Sequence, residues 1–204
     1  MDRIVVVGAS LAGLWACESL RSTGYSGAIT LVGAERHHPY DRPPLSKALL
    51  KGELEPERIQ LRKADDLASL DLDLRLGATA VALDAANRTV TLHSGERLAG
   101  DGVIVATGST PRPLPNQPDI DGVMMLRTLD DSLALRRRLE ARPRVVVIGA
   151  GFIGLEVAAS AAQTGCEVTV LEGAPAPLMR GLGPEMGEIV SRVHARNGVR
   201  IECG

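Results

Sequence analysis

The stretch Arg3-Ile4-Val5-Val6-Val7-Gly8-Ala9-Ser10-Leu11-Ala12-Gly13-Leu14 decides the fold. Ile4 to Val7 are β-branched, stiff at χ1 and suited to a buried strand. Gly8 to Gly13 make a glycine turn, and Leu14-Trp15-Ala16-Cys17-Glu18-Ser19-Leu20 carries apolar residues at helical spacing. Strand, tight turn and helix in this order suit a dinucleotide pyrophosphate. Backbone can approach the phosphates with no Cβ in the way, and the first free N–H groups of the helix face the anion. The arrangement returns later. Arg144 to Ile148 form a second strand-like run, Gly149-Ala150-Gly151-Phe152-Ile153-Gly154 a second turn, and Leu155 to Ala162 a second helix. Two such turns on one chain point to two dinucleotides.

Working outward, Thr23-Gly24-Tyr25-Ser26-Gly27 makes a turn, and Ile29-Thr30-Leu31-Val32 a second strand ending at Gly33-Ala34-Glu35. Strand, helix and strand in so short a span form a βαβ unit and a parallel sheet. The predicted fold is α/β, with two Rossmann-like dinucleotide-binding units, both incomplete. Glu35 falls about 20 residues past Gly13, where an acid accepts the ribose hydroxyls. The second unit has its own acid: Val168-Thr169-Val170-Leu171 reads as a strand, and Glu172 ends it. A carboxylate there repels a 2′-phosphate, and Gly173-Ala174-Pro175 supplies no arginine directly after it, which favours NADH over NADPH. Arg180 is the nearest cation beyond it.

After Glu35, Arg36 to Lys47 contains Pro43-Pro44, which predicts an extended, stiff loop up to Pro44 and a helix beginning within Ser46 to Leu50. His37 and His38 have no partner ligands at metal-binding spacing and read as loop residues. No metal site is expected. Glu53 to Leu74 reads as helix and connector. Thr79 to Leu92 alternates as short antiparallel strands do, with turns at Ala86-Asn87-Arg88 and Ser94-Gly95-Glu96. Gly102-Val103-Ile104-Val105 is another buried strand, running into Ala106-Thr107-Gly108. Pro111, Pro113, Pro115 and Pro118 mark a linker. The predicted domains are 1–110 and 111–204. Thr128 and Asp131 form a capping box that starts a helix through about Ala141, whose Arg136-Arg137-Arg138 is expected to be a solvated face. The final Ile201-Glu202-Cys203-Gly204 reads as a third strand of the second unit, and a doubly wound domain is expected to continue past it.

Lys and Arg number 23 against 25 Asp and Glu, and aromatic residues are 2% of the chain. Neither feature suits nucleic-acid binding. The three cysteines, Cys17, Cys166 and Cys203, form no C-x-x-C pair. Their scattered spacing fits small buried side chains in a reducing cytoplasm. The apolar start is not a signal-peptide core, because its glycines fit the dinucleotide pattern and Glu18 and Arg21 continue the helix. No run approaches the ~20 apolar residues of a membrane-spanning helix, so a soluble cytoplasmic protein is expected.

Four segments, in this order, resemble the FAD-dependent pyridine-nucleotide reductases, and among them the ferredoxin reductases of bacterial oxygenase and cytochrome P450 systems. They are Val7 to Leu14, Pro39-Tyr40-Asp41-Arg42-Pro43-Pro44-Leu45-Ser46-Lys47, Ala106-Thr107-Gly108 and Gly149 to Glu156. Ser10 stands where the ideal pattern has its second glycine. Related disulfide reductases carry a redox cysteine pair near the Pro-Pro loop, whereas this chain has no cysteine between Cys17 and Cys166. The resemblance implies that Gly8, Ser10, Leu11, Ala12 and Gly13 hold FAD, with Glu35 near the adenosine ribose and Val81 offering backbone to the adenine. Arg42, Lys47, Ala106, Thr107, Gly108 and Arg127 complete the FAD contacts it implies. Gly149, Gly151, Phe152, Ile153 and Gly154 would hold NADH, with Glu172 and Arg180 at its adenosine end. Lys47 and Glu156 are the implied catalytic pair, a cation beside the flavin and the glutamate that holds it near the nicotinamide. The implied activity passes electrons from NADH through FAD to a [2Fe–2S] ferredoxin serving a cytochrome P450 or Rieske oxygenase. The alternatives are a reductase of rubredoxin and a non-catalytic nucleotide-binding fragment. Family members are longer chains, in which a later segment completes the FAD domain.

Overall fold

A computed structural model describes residues 1–117 and 120–204. The chain divides into two compact units. The first comprises Met1–Asp41 and Ile59–Thr110, the second Arg42–Arg58 and Pro111–Gly204. The proline-rich connection begins at the change of unit after Thr110, although its Pro118 lies outside the described residues. The packing also moves the Pro-Pro segment, 42–58, into the second unit.

In the first unit, β1 (Arg3–Val7), α1 (Leu11–Ser22) and β2 (Ala28–Gly33) form the expected βαβ turn. β1 pairs in parallel with β2 on one side and with β7 (Gly102–Val105) on the other. β3 (Leu72–Leu76) adds a fourth strand beside β2, so the order is β3-β2-β1-β7. The unbroken apolar run of β1 is explained by burial on both faces, as in parallel sheets generally. Ile4 and Val6 pack with Cys17, Ile29 and Leu31 on the α1 side. Val5 and Val7 pack with Val90, Leu92 and Leu98 on the other side. The latter three belong to an antiparallel meander, β4 (Ala80–Asp84), β5 (Thr89–Leu92) and β6 (Arg97–Ala99). Its turns fall where the sequence puts them.

β3 replaces part of the helix-and-connector expected over Glu53 to Leu74; the only α-helix there is the short α2 (Ala64–Ala68). Leu72, Leu74 and Leu76 alternate with Asp73 and Arg75, and a half-exposed edge strand needs no more apolar character than that. Arg21 ties the end of α1 to the start of this strand. Its guanidinium donates to the carbonyls of Tyr25, Gly27, Leu70 and Asp71 at 2.8–2.9 Å.

The second unit contains α3 (Leu129–Leu139), β8 (Arg144–Ile148), α4 (Phe152–Gln163), β9 (Glu167–Glu172), α5 (Met179–Arg196) and β10 (Val199–Cys203). Its sheet is parallel with order β10-β9-β8. α3 opens on the expected capping box: Thr128 Oγ1 accepts from Asp131 N–H at 3.1 Å, and Asp131 Oδ2 accepts from Thr128 N–H at 2.8 Å. α5 breaks direction at Gly183-Pro184, where Gly183 leaves helical geometry. Ala158, Ala161, Val168, Val170 and Val199 are at the centre of the core, to which Leu50 of the Pro-Pro segment also belongs.

Pro43–Ser46 is not an extended loop but a 3-10 turn, and Lys47 to Gly52 form a series of turns rather than a helix. The prolines stand at the first two positions of the 3-10 turn, where a missing N–H costs nothing and φ is preset. Arg137 and Arg138 are exposed, as a solvated face requires, with Arg138 ion-paired to the exposed Asp121, whereas Arg136 is half-buried and paired with Glu55.

Candidate functional site

The first glycine turn sits at the carboxyl end of the parallel sheet, where open α/β sheets bind ligands. Gly8 N–H donates to Val32 O at 2.8 Å, and Ala106 N–H to Val7 O at 2.7 Å. These bonds bring the glycine turn, the β2 end and Ala106-Thr107-Gly108 together at the carboxyl end of the sheet. Gly8 has φ +116°, and a Cβ there would lie 2.0 Å from Ala106 O. A Cβ on Gly13 would lie 1.8 Å from Gly8 O, so α1 can start this close to the turn only with glycine. Ser10 has extended backbone (φ −122°, ψ −162°), which any residue adopts, and its side chain makes no capping bond. Its replacement of a glycine therefore carries no backbone penalty. Leu11 and Ala12 are exposed, and the first N–H groups of α1 have no partner within the helix.

Glu35 lies just past β2, and Tyr40 O–H donates to its Oε2. Tyr40 is buried, so the carboxylate is aimed by a fixed partner. Val81 is exposed at a bulge in β4, between Ala80 and Ala82, where the ladder skips it and its backbone is off the sheet register.

The second turn repeats the design. Gly149 N–H donates to Leu171 O at 2.7 Å, and a Cβ on Gly154 would lie 2.1 Å from Gly149 O. Gly151, the N-cap of α4, has open space where a Cβ would be, as a phosphate cradle requires. Phe152 and Ile153 are exposed at the helix start. The Glu172 carboxylate accepts from Ala150 N–H at 2.7 Å and from Ala174 N–H at 2.8 Å, so it is held against the turn itself. Arg180 is exposed in the first turn of α5.

Lys47 and Glu156 are both in the second unit and are joined, with Lys47 Nζ 2.8 Å from Glu156 Oε1. Lys47 Nζ also donates to Pro43 O at 3.1 Å, and Ser46 O–H to Glu156 Oε2 at 2.6 Å. Partial burial pushes the Glu156 carboxyl up, but the bonds from Lys47 and Ser46 outweigh this and hold it below the ordinary glutamate range. Arg42 donates to Arg127 O at 2.7 Å, and Arg127 N–H to Asp131 Oδ2 at 3.0 Å, so the capping box of α3 also positions Arg127.

Tyr40 and Ser46 stand in the Pro-Pro motif, but no chemistry singles them out in the sequence. Ser160 was legible only as a hydroxyl inside the apolar helix Leu155-Glu156-Val157-Ala158-Ala159-Ser160-Ala161. Burial pushes the Cys17 thiol up to about 11, which makes it an inert packing group. No His, Cys, Asp and Glu group among the described residues could hold a metal ion.

Two parallel β/α units, each with a glycine turn and an acid at the carboxyl end of its sheet, have the form of dinucleotide-binding units. The chain belongs to the pyridine nucleotide-disulphide oxidoreductase family, whose sequence pattern matches residues 2–204. It is 38% identical over 205 residues to the ferredoxin–NAD(+) reductase component of the p-cumate 2,3-dioxygenase system of Pseudomonas putida, covering 100% of this chain and 51% of that one. It is 39% identical over 188 residues to rubredoxin–NAD(+) reductase of Pseudomonas putida, covering 92% of this chain and 49% of the relative. The crystal structure of the ferredoxin reductase for the CYP199A2 system from Rhodopseudomonas palustris matches with a TM-score of 0.93 and 38% identity, covering 100% of this chain and 50% of that one. The chain spans about half the length of the curated relatives it matches.

Proposed function

We propose that this chain supplies the dinucleotide-binding framework of an NADH-dependent flavoprotein reductase whose electron acceptor is a [2Fe–2S] ferredoxin serving a cytochrome P450 or Rieske oxygenase. The observation that carries this reading is the pairing of two glycine turns, each with its own acid, with a lysine–glutamate ion pair on the Pro-Pro turn. The FAD domain is 1–110, from which 42–58 packs away, and the NADH domain is 111–204. Gly8, Ser10, Leu11, Ala12 and Gly13 hold the FAD pyrophosphate, and Glu35 the ribose. Val81 and Ala106-Thr107-Gly108 of the same unit make further contacts to FAD, while Arg42, Lys47 and Arg127, which belong to the second unit, are assigned to it by the resemblance alone. Gly149, Gly151, Phe152, Ile153 and Gly154 hold NADH, with Glu172 and Arg180 at its adenosine end. When bound, FAD supplies the hydride acceptor and the one-electron donor that side chains lack. The protein's own work is electrostatic: Lys47 places a fixed cation where negative charge develops, and Glu156 fixes the lysine. With no cysteine between Cys17 and Cys166, no protein disulfide at the Pro-Pro turn takes part. Three free cysteines support a cytoplasmic location.

The similarity to a rubredoxin–NAD(+) reductase supports a second reading, with rubredoxin as the acceptor. A visible spectrum of the purified protein, and then anaerobic NADH titration, tests the flavin and NADH sites together. Bound-flavin bands that bleach with NADH are expected, and reoxidation by ferredoxin or by rubredoxin then separates the two acceptors. A colourless protein that takes up no added FAD would overturn the catalytic reading and leave a nucleotide-binding fragment.

Coenzyme choice gives a separate expectation. Glu172→Ala removes the carboxylate that accepts ribose hydroxyls and repels a 2′-phosphate. The preference for NADH over NADPH is expected to fall at least about 10-fold, read as the ratio of the two dissociation constants. NADH binding itself should weaken too, because Ala150 N–H and Ala174 N–H lose their acceptor. An unchanged ratio would remove Glu172 from the adenosine site.

A further inference from the structure

Three buried serine hydroxyls converge on the Pro-Pro turn. Ser132 O–H, from α3, donates to Leu45 O at 2.7 Å, and Ser160 O–H, from α4, donates to Ser46 O at 2.6 Å. Ser46 O–H then donates to Glu156 Oε2 at 2.6 Å, with a longer contact to Pro43 O at 3.5 Å. Ser132, Ser46 and Ser160 are 0%, 4% and 5% exposed, so the two bonds donated to backbone carbonyls are shielded from water, while the bond from Ser46 reaches a partly exposed carboxylate. Glu156 lies one turn before Ser160 on the same helix. A single stretch of α4 therefore carries both the carboxylate and the hydroxyl that fixes its donor.

We propose that Ser46 is a positioning residue, which Ser132 and Ser160 lock in place so that its hydroxyl orients the Glu156 carboxylate toward Lys47. One carboxylate oxygen meets the serine and the other meets the ammonium, so rotation about the last side-chain torsion breaks both bonds. Lys47 alone could not enforce this. Its side chain is half-exposed, and an exposed ion pair by itself fixes geometry poorly. Among the described residues, Lys47 is the charged group that faces Glu156. Lys51 is bound to Glu53 and Gln163, Arg136 is bound to Glu55, and His194 of α5 faces the Leu155 carbonyl. The consequence for hydride transfer rests on the function proposed above, but the positioning itself does not.

The test is the titration of Glu156 by carboxyl-carbon NMR, its resonance identified by its loss in Glu156→Gln. Ser46→Ala removes one donor to the ionised form and leaves the other two serine bonds in place. Its Glu156 is expected to titrate about one pH unit higher, with an otherwise native amide spectrum. Ser160→Ala leaves the donor hydroxyl but frees the turn, so a smaller rise in the same direction is expected. Unchanged Glu156 titration in both folded variants would overturn the proposal. In flavin-loaded enzyme, Ser46→Ala should slow flavin bleaching by saturating NADH about 10-fold without weakening NADH binding. The shifted titration together with unaltered bleaching would count against the role of Lys47 and Glu156 in the reaction, and would leave the positioning by Ser46 intact.

Discussion

Gly13→Ala is expected to strip the protein of flavin, whereas Gly154→Ala should keep the flavin and lose NADH. Each new methyl would meet a backbone carbonyl, at 1.8 Å from Gly8 O in the first case and 2.1 Å from Gly149 O in the second. A flexible side chain could swing away from such a contact, but these carbonyls belong to the turns themselves. The helix must therefore shift outward, taking with it the N–H groups proposed to bind the phosphates. Overpacking of this kind costs about 1–3 kcal/mol of stability, and a loss of that size in dinucleotide binding is a fall of about 5- to 100-fold in affinity, since each 1.4 kcal/mol is a factor of ten. Flavin content per chain, thermal melting and NADH titration by fluorescence measure the three effects. If Gly154→Ala lost flavin and kept NADH, the two units would have to exchange their assigned ligands.

The second large effect is expected from Lys47→Met, which keeps the length of the side chain and removes its charge. Bleaching of the flavin by saturating NADH, measured by stopped flow, should slow by about 10²-fold, the usual result of removing a preorganised electrostatic group from a reaction centre. The NADH dissociation constant should stay close to that of the parent, because the glycine turns are untouched, and the rate is compared on protein fully loaded with flavin. Glu156 should also lose part of its acidity. Its carboxyl is held low by Lys47 and Ser46 against the opposing effect of burial, so losing the ammonium raises its pKa. The sign comes from linkage. A carboxyl with a depressed pKa in the folded state stabilises the fold above its unfolded value, and that stabilisation is lost as pH falls through the folded value. The parent should therefore lose more stability than Lys47→Met on acidification through the range just below 4.5, the ordinary glutamate value. A wild-type bleaching rate in Lys47→Met would mean that this ion pair fixes the turn and does nothing for the reaction.

Both glycine turns were legible from local sequence because their chemistry is local. A strand, a turn that must bring backbone to an anion, and a helix start fit within a dozen residues. Each residue type there answers a steric demand made by its neighbours. The capping box of Thr128 and Asp131 and the meander of β4 to β6 were readable for the same reason. β3 was not. Leu72-Asp73-Leu74-Arg75-Leu76 sits at a sheet edge with partial burial, and its alternation competes with a charged helical reading of the residues before it. Pro43-Pro44 misled in another way. Prolines do exclude a helix interior, but they suit its first positions, and the 3-10 turn begins on them.

Local residue order alone gives the α/β class, the two glycine turns and the acids Glu35 and Glu172 that follow them, whereas Lys47 and Glu156 were paired only through the resemblance to the family. How those groups are held depends on packing between distant segments. Residues 42–58 leave the unit that surrounds them in sequence and pack on α3 and α4, because the Leu45 and Ser46 carbonyls find donors there and Leu50 finds a core. The bonds that aim Glu156, Glu35 and Glu172 come from Ser46, Tyr40 and the Ala150 amide. Serine, tyrosine and a backbone N–H are common to every protein. What gives these particular ones a role is desolvation at a place that folding creates, and desolvation is a property of position in space rather than of order along the chain.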